Sequence, residues 1–142
     1  MKTILALVDF SDVTARVLQY AESFANTFGS NVVLGHIIPP EPVVVDFAPP
    51  TPPDDSAAAK SKLEALRDGL ASRGIAVSTY SVQGPVVATI HDWNRQHNPD
   101  FIIMGSHGHG ALYNLLVGSV TAAVLKSAPC PVLVVPSLLK AS

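Results

Sequence analysis

The clearest chemistry in this sequence lies in a glycine-rich segment, IIMGSHGHGALYNLLVGSV, at residues 102–120. Its glycines follow the spacing Gly105-x2-Gly108-x9-Gly118-Ser119. Glycine inside a helix costs about 0.5–1 kcal/mol relative to alanine, so Gly118 within an apolar helical pattern indicates a backbone requirement. In the turn after a strand, Gly105 and Gly108 would let a ligand approach main-chain N–H groups, which can form an anion-binding nest. The spacing therefore predicts an anion cradle built from backbone amides.

The helix that follows this segment would supply further donors. If the helix begins at Ser119, the free amides of Ser119, Val120 and Thr121 point into the same space and carry the positive end of the helix dipole. The hydroxyls of Ser119 and Thr121 add two donors. Two amide-rich surfaces around one cavity suit a polyphosphate, whereas an ordinary tight turn with close helix packing is the alternative explanation of the glycines.

Other nucleotide-binding and metal-binding patterns are missing. The sequence contains no GK[ST], and its first strand–helix turn has no glycine, so neither a Walker A loop nor a Rossmann fingerprint is present. His107 and His109 lie two residues apart in the glycine segment with no third ligand nearby, so we predict a phosphate contact by one of them and no metal site. Asp9 ends an apolar run, and it could contact a ligand, cap the next helix, or do both.

Apolar runs of strand length alternate with segments of helical period along the whole chain. We predict strands at 3–9, 31–38, 75–82, 100–105 and 131–135, with one helix in each interval. Ser11 is the predicted N-cap of the first helix, which ends at Gly29. Asp55 or Ser56 caps the second helix, Gly74 ends it, and Gly84-Pro85 opens the third. The predicted buried positions are Val13, Val17, Ala21, Phe24 and Phe28 in the first helix, Ala59, Leu63, Leu66 and Leu70 in the second, and Val86, Ile90 and Trp93 in the third.

This alternation predicts an α/β fold: a doubly wound, five-stranded, parallel, Rossmann-like sheet with helices on both faces. Ligands in such sheets bind beyond the carboxyl ends of the strands, where the winding direction reverses. The third strand has more polar alternation and is expected near an edge. Residues 39–53 hold seven of the twelve prolines. We interpret residues 39–55 as a long connection that could act as a flap within a single domain spanning 1–142.

Composition narrows the class of protein. The chain has 142 residues, 48% hydrophobic and 14% charged, with a formal net charge of −2. Such a chain can form one compact domain and lacks the basic surface expected of a nucleic-acid-binding protein. A single cysteine, Cys130, favours a reducing compartment. No apolar run is long enough to span a membrane, so we predict a cytoplasmic protein without membrane insertion.

The glycine motif, together with LALVDFSDVTARVLQYA, GHII and SAPCPVLVVP, resembles the ATP-binding type of the universal stress protein family over essentially all 142 residues. The resemblance implies a bound adenine nucleotide, ATP or else ADP or AMP, with Mg²⁺ as the expected companion. It also implies a homodimer through strand 131–135. The residues that it assigns to the nucleotide are Asp9 and Ile37 at the adenosine, Met104 and Gly105 on the nucleoside side, Gly108 and Gly118 at the phosphates, and Ser119, Val120 and Thr121 at the outer phosphates. We add Phe10 and Ser11, which follow Asp9, and His107 and His109 of the glycine segment as further candidate contacts.

Two departures from the family pattern concern charge and the first turn. Phe10 stands where glycine is common, so the turn after Asp9 should be tighter or lined by an aromatic ring. His109 stands where the family often has arginine, and no lysine or arginine lies between Phe101 and Leu125. Compensation of phosphate charge would then rest on amides, hydroxyls, histidines and a metal ion, which leaves AMP and ADP open beside ATP.

The same region contains few groups for catalysis. Phosphoryl transfer usually needs a carboxylate that holds a metal and cationic groups that clamp the phosphates. Residues 101–142 contain no aspartate or glutamate. We therefore predict no catalytic residues and a nucleotide-dependent sensor or regulator of the stress response, not an enzyme, with slow or no hydrolysis. A partner-binding scaffold of the same fold that binds no ATP is the alternative.

Overall fold

The computed structural model describes residues 2–38, 56–106 and 119–136, and the predicted alternation of strands and helices is confirmed there. Each predicted strand is present, with shifts of one or two residues at several ends. The elements in chain order are β1 (Thr3–Leu7), α1 (Thr14–Phe28), β2 (Asn31–Ile38), α2 (Ser56–Ala71), β3 (Val77–Gln83), α3 (Val86–His97), β4 (Phe101–Gly105), α4 (Ser119–Ser127) and β5 (Val132–Val135).

The five strands form one parallel sheet in the order β3-β2-β1-β4-β5. The chain winds from β1 outward through β2 to β3, then returns to the other side of β1 with β4. The winding direction therefore reverses between β1 and β4, where Leu5 pairs with Ile102. A crevice at the carboxyl ends of these two strands is the expected ligand position. The expected edge position of β3 is confirmed, and β5 forms the opposite edge.

Two apolar cores cover the two faces of the sheet, because the strands are apolar on both sides. One core joins strand residues to α1 and α2, and the other joins them to α3 and α4. The predicted helix stripes are largely confirmed: Val17, Leu63 and Ile90 are almost fully buried. Phe28 is a wrong prediction, since its side chain is 51% exposed. It is the last residue of α1 and extends past the sheet, where it contacts Phe24 in the preceding turn.

The helix ends agree with the glycine signals but not with the predicted N-cap. Gly29 and Gly74 both adopt positive φ, +66° and +89°, a conformation that glycine adopts without steric cost. Ser11 was expected to cap α1, but α1 begins at Thr14 with Val13 in the cap position and no side-chain capping bond. The reason is an extra turn between β1 and α1, which uses Ser11 as its backbone donor and acceptor.

Close packing fixes α3 on the sheet. A Cβ added to Gly35 in β2 would lie 2.5 Å from Cζ3 of Trp93, so the indole rests directly on the strand backbone. Trp93 is 4% exposed, which confirms its prediction as a core residue. None of the helices in residues 2–38, 56–106 and 119–136 combines the length and apolar character that crossing a membrane requires.

Candidate functional site

The turn that leaves β1 is built around the Asp9 carboxylate. Its Oδ1 accepts a hydrogen bond from the Ser11 amide at 2.9 Å, and the Ser11 carbonyl accepts one from the Thr14 amide at 3.1 Å. The prediction that Asp9 caps the next helix is wrong, because its carboxylate bonds the Ser11 amide within the turn and α1 begins later, at Thr14, without a side-chain cap. Among the described residues only Oδ1 of this carboxylate accepts a hydrogen bond, so Oδ2 could accept one from a ligand.

Phe10 lines this turn with an aromatic ring, as the sequence departure suggested. Its backbone has φ +62°, which costs a residue with a side chain about 1–2 kcal/mol. The ring lies against His36, with 4.4 Å between ring centroids. His36 Nδ1 donates to the Val8 carbonyl at 2.9 Å, so this half-buried histidine holds β2 to the end of β1. The strained conformation therefore places an aromatic pair beside Asp9.

The exit of β4 is shaped by the absence of a side chain at Gly105. A Cβ there would lie 2.6 Å from Cγ1 of Val13, which is 3% exposed at the start of α1. Close helix packing, the alternative explanation given above, is confirmed for this glycine. The contact brings the turn after β1 directly against the end of β4, so the two sides of the crevice are fixed to each other.

The start of α4 is fixed to the same strand end. The α4 helix begins at Ser119, as predicted. Thr121 is 1% exposed, and its hydroxyl donates to the carbonyls of Gly105 and Ser106 at 3.0 and 2.9 Å. The prediction that this hydroxyl contacts phosphate is wrong, because it is buried and bonded to backbone. What α4 can offer a ligand at Thr121 is its main-chain amide, within the first turn of the helix.

The structure brings most of the described candidates to one edge of the sheet. Asp9, Phe10 and Ser11 follow β1, Met104 and Gly105 end β4, and Ser119, Val120 and Thr121 start α4. Ile37 lies near the end of β2, and its side chain packs in the core beside α3 and α4. Met104 is 5% exposed, so its backbone and not its side chain faces the crevice side. His107, Gly108, His109 and Gly118 lie outside the described residues.

Positive charge reaches this edge from residues that the sequence did not single out. Lys62 of α2 places its Nζ 5.5 Å from the centroid of the Phe10 ring. Arg16 of α1 donates from its guanidinium to the Pro136 carbonyl just beyond β5. Lys62 precedes the buried Leu63 in a helix far along the chain, and no motif marked it. Only the packing of α2 beside β2 reveals its position.

The described residues offer no metal centre. No group of three histidine, cysteine, aspartate or glutamate side chains within the ranges that the structure covers could hold a metal ion. Cys130 is half-buried, and burial raises the pKa of its thiol, which keeps it protonated at neutral pH. The hydrogen-bonding groups that the described part of the site offers are main-chain amides and individual polar side chains.

Comparisons with known proteins place this arrangement in a family. The model of the universal stress protein family matches residues 1–136. The chain is 33% identical over 135 residues to Universal stress protein Sll1654 of Synechocystis, covering 95% of this chain and 85% of that protein. It is 30% identical over 152 residues to Universal stress protein MJ0577 of Methanocaldococcus jannaschii, covering 94% of each.

The fold comparison agrees with the sequence comparison. The solved structure of MJ0577 superposes with a TM-score of 0.75 at 29% identity, over 94% of both chains. A second structure, the universal stress protein UspA from Lactobacillus plantarum, gives a TM-score of 0.78 at 24% identity over 94% of this chain and 97% of that one. With the family model matching nearly its whole length, this chain belongs to the universal stress protein family.

Proposed function

We propose that this protein binds an adenine nucleotide at the crevice between β1 and β4 and acts as a regulator whose conformation or assembly depends on that nucleotide. One observation carries the proposal: the Thr121 hydroxyl ties the start of α4 to the Gly105 and Ser106 carbonyls. This bond fixes the free amides of the first turn of α4 at the carboxyl edge of β4, beside the reversal of winding. A helix N-terminus held in that position favours a phosphate group.

Two structures of the same fold supply the class of ligand to test. Universal stress proteins from Archaeoglobus fulgidus and Arabidopsis thaliana were solved in complex with dAMP and AMP, with TM-scores of 0.68 for each. They share 22% and 19% identity with this chain and cover 94% and 95% of it, and this chain covers 96% and 91% of theirs. At that distance the likeness is one of fold, so the adenylate enters here as a ligand proposed for this chain.

ATP and Mg²⁺ belong to the finer part of the proposal. The segment from Phe101 to Leu125 carries no lysine or arginine, so amides would meet most of the phosphate charge. A magnesium ion would then enter together with a polyphosphate, bound mainly by phosphate oxygens and water, as Mg²⁺ prefers. We therefore expect Mg²⁺ to strengthen ATP binding and to have little effect on AMP binding.

The experiment that tests the proposal compares two substitutions at the first residue of α4. Ser119→Pro removes one main-chain N–H at a helix position where proline is tolerated, whereas Ser119→Ala removes the hydroxyl and keeps the N–H. Isothermal titration calorimetry measures the affinity of each variant for adenosine, AMP, ADP and ATP. Comparison of the two variants then separates the contribution of the N–H from that of the hydroxyl. A hydrogen bond to a charged group contributes about 1.5–3 kcal/mol, so Ser119→Pro should weaken nucleotides about tenfold or more and leave adenosine unchanged.

The outcomes separate the proposal from the scaffold alternative. A thermal shift that grows with nucleotide concentration supports binding, since ligand at 100 times Kd adds about 2.7 kcal/mol of stability. If no adenylate shifts the melting temperature of the wild-type protein, the chain is a scaffold of the same fold. If Ser119→Pro binds every nucleotide as tightly as Ser119→Ala, the amides of α4 do not hold the phosphates.

Absent or slow hydrolysis is part of the same proposal. It rests on the lack of aspartate and glutamate from Phe101 to the end of the sequence and on the engagement of Asp9 in its turn. We expect Mg-ATP turnover at saturation far below about one per second, the lower end of the usual range of enzymes. Sustained turnover near one per second, lost in Asp9→Asn, would establish an ATPase instead.

Assembly and location complete the proposal. The apolar β5 strand lies at an edge of the sheet, and such a strand needs a cover or a partner. We propose pairing of residues 131–135 with a second copy, which light scattering would detect as a doubled mass and Val134→Lys would reduce to a monomer. A cytoplasmic location is proposed from the single cysteine, and fractionation of expressing cells tests it.

A further inference from the structure

A lysine lies over the aromatic ring of the turn that leaves β1. Lys62 Nζ lies 5.5 Å from the centre of the Phe10 ring, and Phe10 directly follows Asp9. The same ring lies against His36, which precedes Ile37 in β2. Lys62, Phe10 and His36 therefore form a layer on the α1 and α2 side of the sheet, where Phe10 directly follows Asp9, whereas the Ile37 side chain packs on the α3 and α4 side.

This ammonium has no carboxylate partner within the described part of the chain. The ion pairs found there involve Arg67, Arg73 and Arg95, and the side chain of Lys62 is exposed. Arg16 differs, because its guanidinium already donates to the Pro136 carbonyl at the far edge of the sheet. Lys62 thus offers a charge with no carboxylate partner among residues 2–38, 56–106 and 119–136, beside the residue that follows Asp9, in a protein whose glycine segment and α4 carry no cation before Lys126.

The cation–π contact between Lys62 and the Phe10 ring is weak, so an anionic ligand can draw the ammonium away from the ring. A solvent-exposed lysine is attracted only modestly to an aromatic ring, and its four-carbon stem is flexible and carries a compact point charge. The backbone of Phe10 has a positive φ, and strained backbone conformations of this kind cluster at functional sites. The ring keeps the ammonium near the crevice until a stronger partner enters.

We propose that Lys62 contacts a phosphate of the adenylate bound in this crevice, an inference that rests on the proposed function. Two phosphates could provide this chemistry: the 5′-phosphate tail, or a phosphate on the 2′,3′ edge of the ribose. Both would exchange the cation–π contact for a charge-assisted hydrogen bond. The substitution Lys62→Gln removes the charge and keeps a similar chain length.

The test measures affinity for a graded set of ligands by competition against a fluorescent adenylate. The ligands are adenosine, AMP, ATP and adenosine 3′,5′-bisphosphate. The matched control is Lys60→Gln, which removes the same charge from the same helix at a position turned about 200° away. Melting temperatures of the ligand-free variants check that both fold.

We expect Lys62→Gln to leave adenosine binding within twofold of wild type and to weaken phosphate-bearing ligands roughly tenfold to twentyfold, the lower end of what a bond to a charged group provides. Rising salt should weaken wild-type binding more steeply than binding by the variant. Loss confined to the 3′,5′-bisphosphate identifies the ribose phosphate as the partner, and loss shared by AMP and ATP identifies the 5′ tail. Lys60→Gln should behave as wild type throughout.

Equal weakening of adenosine and of every nucleotide would overturn the inference, because it would show that Lys62 acts only by covering Phe10. Identical behaviour of Lys62→Gln and Lys60→Gln across the series would also overturn it, while leaving nucleotide binding itself intact. If the wild-type protein binds none of the four ligands, both this inference and the proposed function fail.

Discussion

Replacing Gly105 by alanine should destabilise this protein although alanine is compatible with a β-strand. The added Cβ would lie 2.6 Å from Cγ1 of Val13, closer than two carbon atoms can pack, and Val13 is 3% exposed at the start of α1. Either α1 must move away from β4 or the valine must leave its rotamer. Overpacking of this kind costs about 1–3 kcal/mol. For a chain of this length the loss corresponds to roughly 4 °C in melting temperature per kcal/mol.

The same substitution at Gly69 is a matched control with the opposite sign. Gly69 lies within α2, and a Cβ built on it meets nothing within 4 Å. Alanine there should raise the free energy of unfolding by about 0.5–1 kcal/mol, because glycine in a helix loses more backbone entropy on folding. Urea denaturation followed by circular dichroism measures both variants under identical conditions.

Val13→Ala provides the internal test of the mechanism. Alone it deletes two buried carbons and should cost about 1–3 kcal/mol, but it also opens the space that the new Cβ needs. The double variant Val13→Ala/Gly105→Ala should therefore be at least about 1 kcal/mol more stable than the sum of the single losses predicts. Strict additivity, or a Gly105→Ala protein as stable as wild type, would refute the reasoning.

Three further predictions follow from particular contacts. Thr121→Val keeps the shape but removes the hydroxyl bonds to Gly105 and Ser106, so the free energy of unfolding should fall by about 1–3 kcal/mol, whereas Thr121→Ser should lose less; urea titration compares them. Gly35→Ala would press on Trp93, the only tryptophan of the sequence, and should shift its fluorescence emission and lower stability by about 1–3 kcal/mol; an unchanged spectrum and stability would contradict the packing. Asp100 accepts hydrogen bonds from the backbone amides of Lys2 and Thr3, which lower the pKa of its carboxyl. Its contribution is therefore fully present above the ordinary aspartate pKa and lost as pH falls through the lowered value, so the stability gap between wild type and Asp100→Asn should narrow on acidification; a gap independent of pH would contradict this assignment.

The element order could be predicted from the sequence because hydrophobic period is a local property. Strand runs such as TILAL are apolar on both faces, which occurs where helices cover both sides of a parallel sheet. Glycines with positive φ, Gly29 and Gly74, marked two helix ends for the same local reason. The motif around Gly105 likewise identified the strand end and the helix start that now form the candidate site.

The sequence could not decide how side chains from separate segments are used. Ser11 has the chemistry of an N-cap, yet the Asp9 turn takes up its backbone and α1 starts at Thr14. Thr121 has the chemistry of a phosphate ligand, yet its hydroxyl bonds the carbonyls at the end of β4. Each choice depends on which backbone groups lie nearby after folding, and a linear pattern does not contain that distance.

By itself, the sequence determined the alternation of elements, the two-sided sheet and the carboxyl edge that carries the candidate site, since these follow from apolar period and from glycine and proline chemistry. Tertiary structure alone decided that Val13 needs the bare backbone of Gly105, that Phe10 lies against His36, and that Lys62 reaches the same place. The reason is physical. The hydrophobic period of a segment is set by each residue and its near neighbours. Side-chain contacts between segments require that strands and helices far apart in the chain pack against each other.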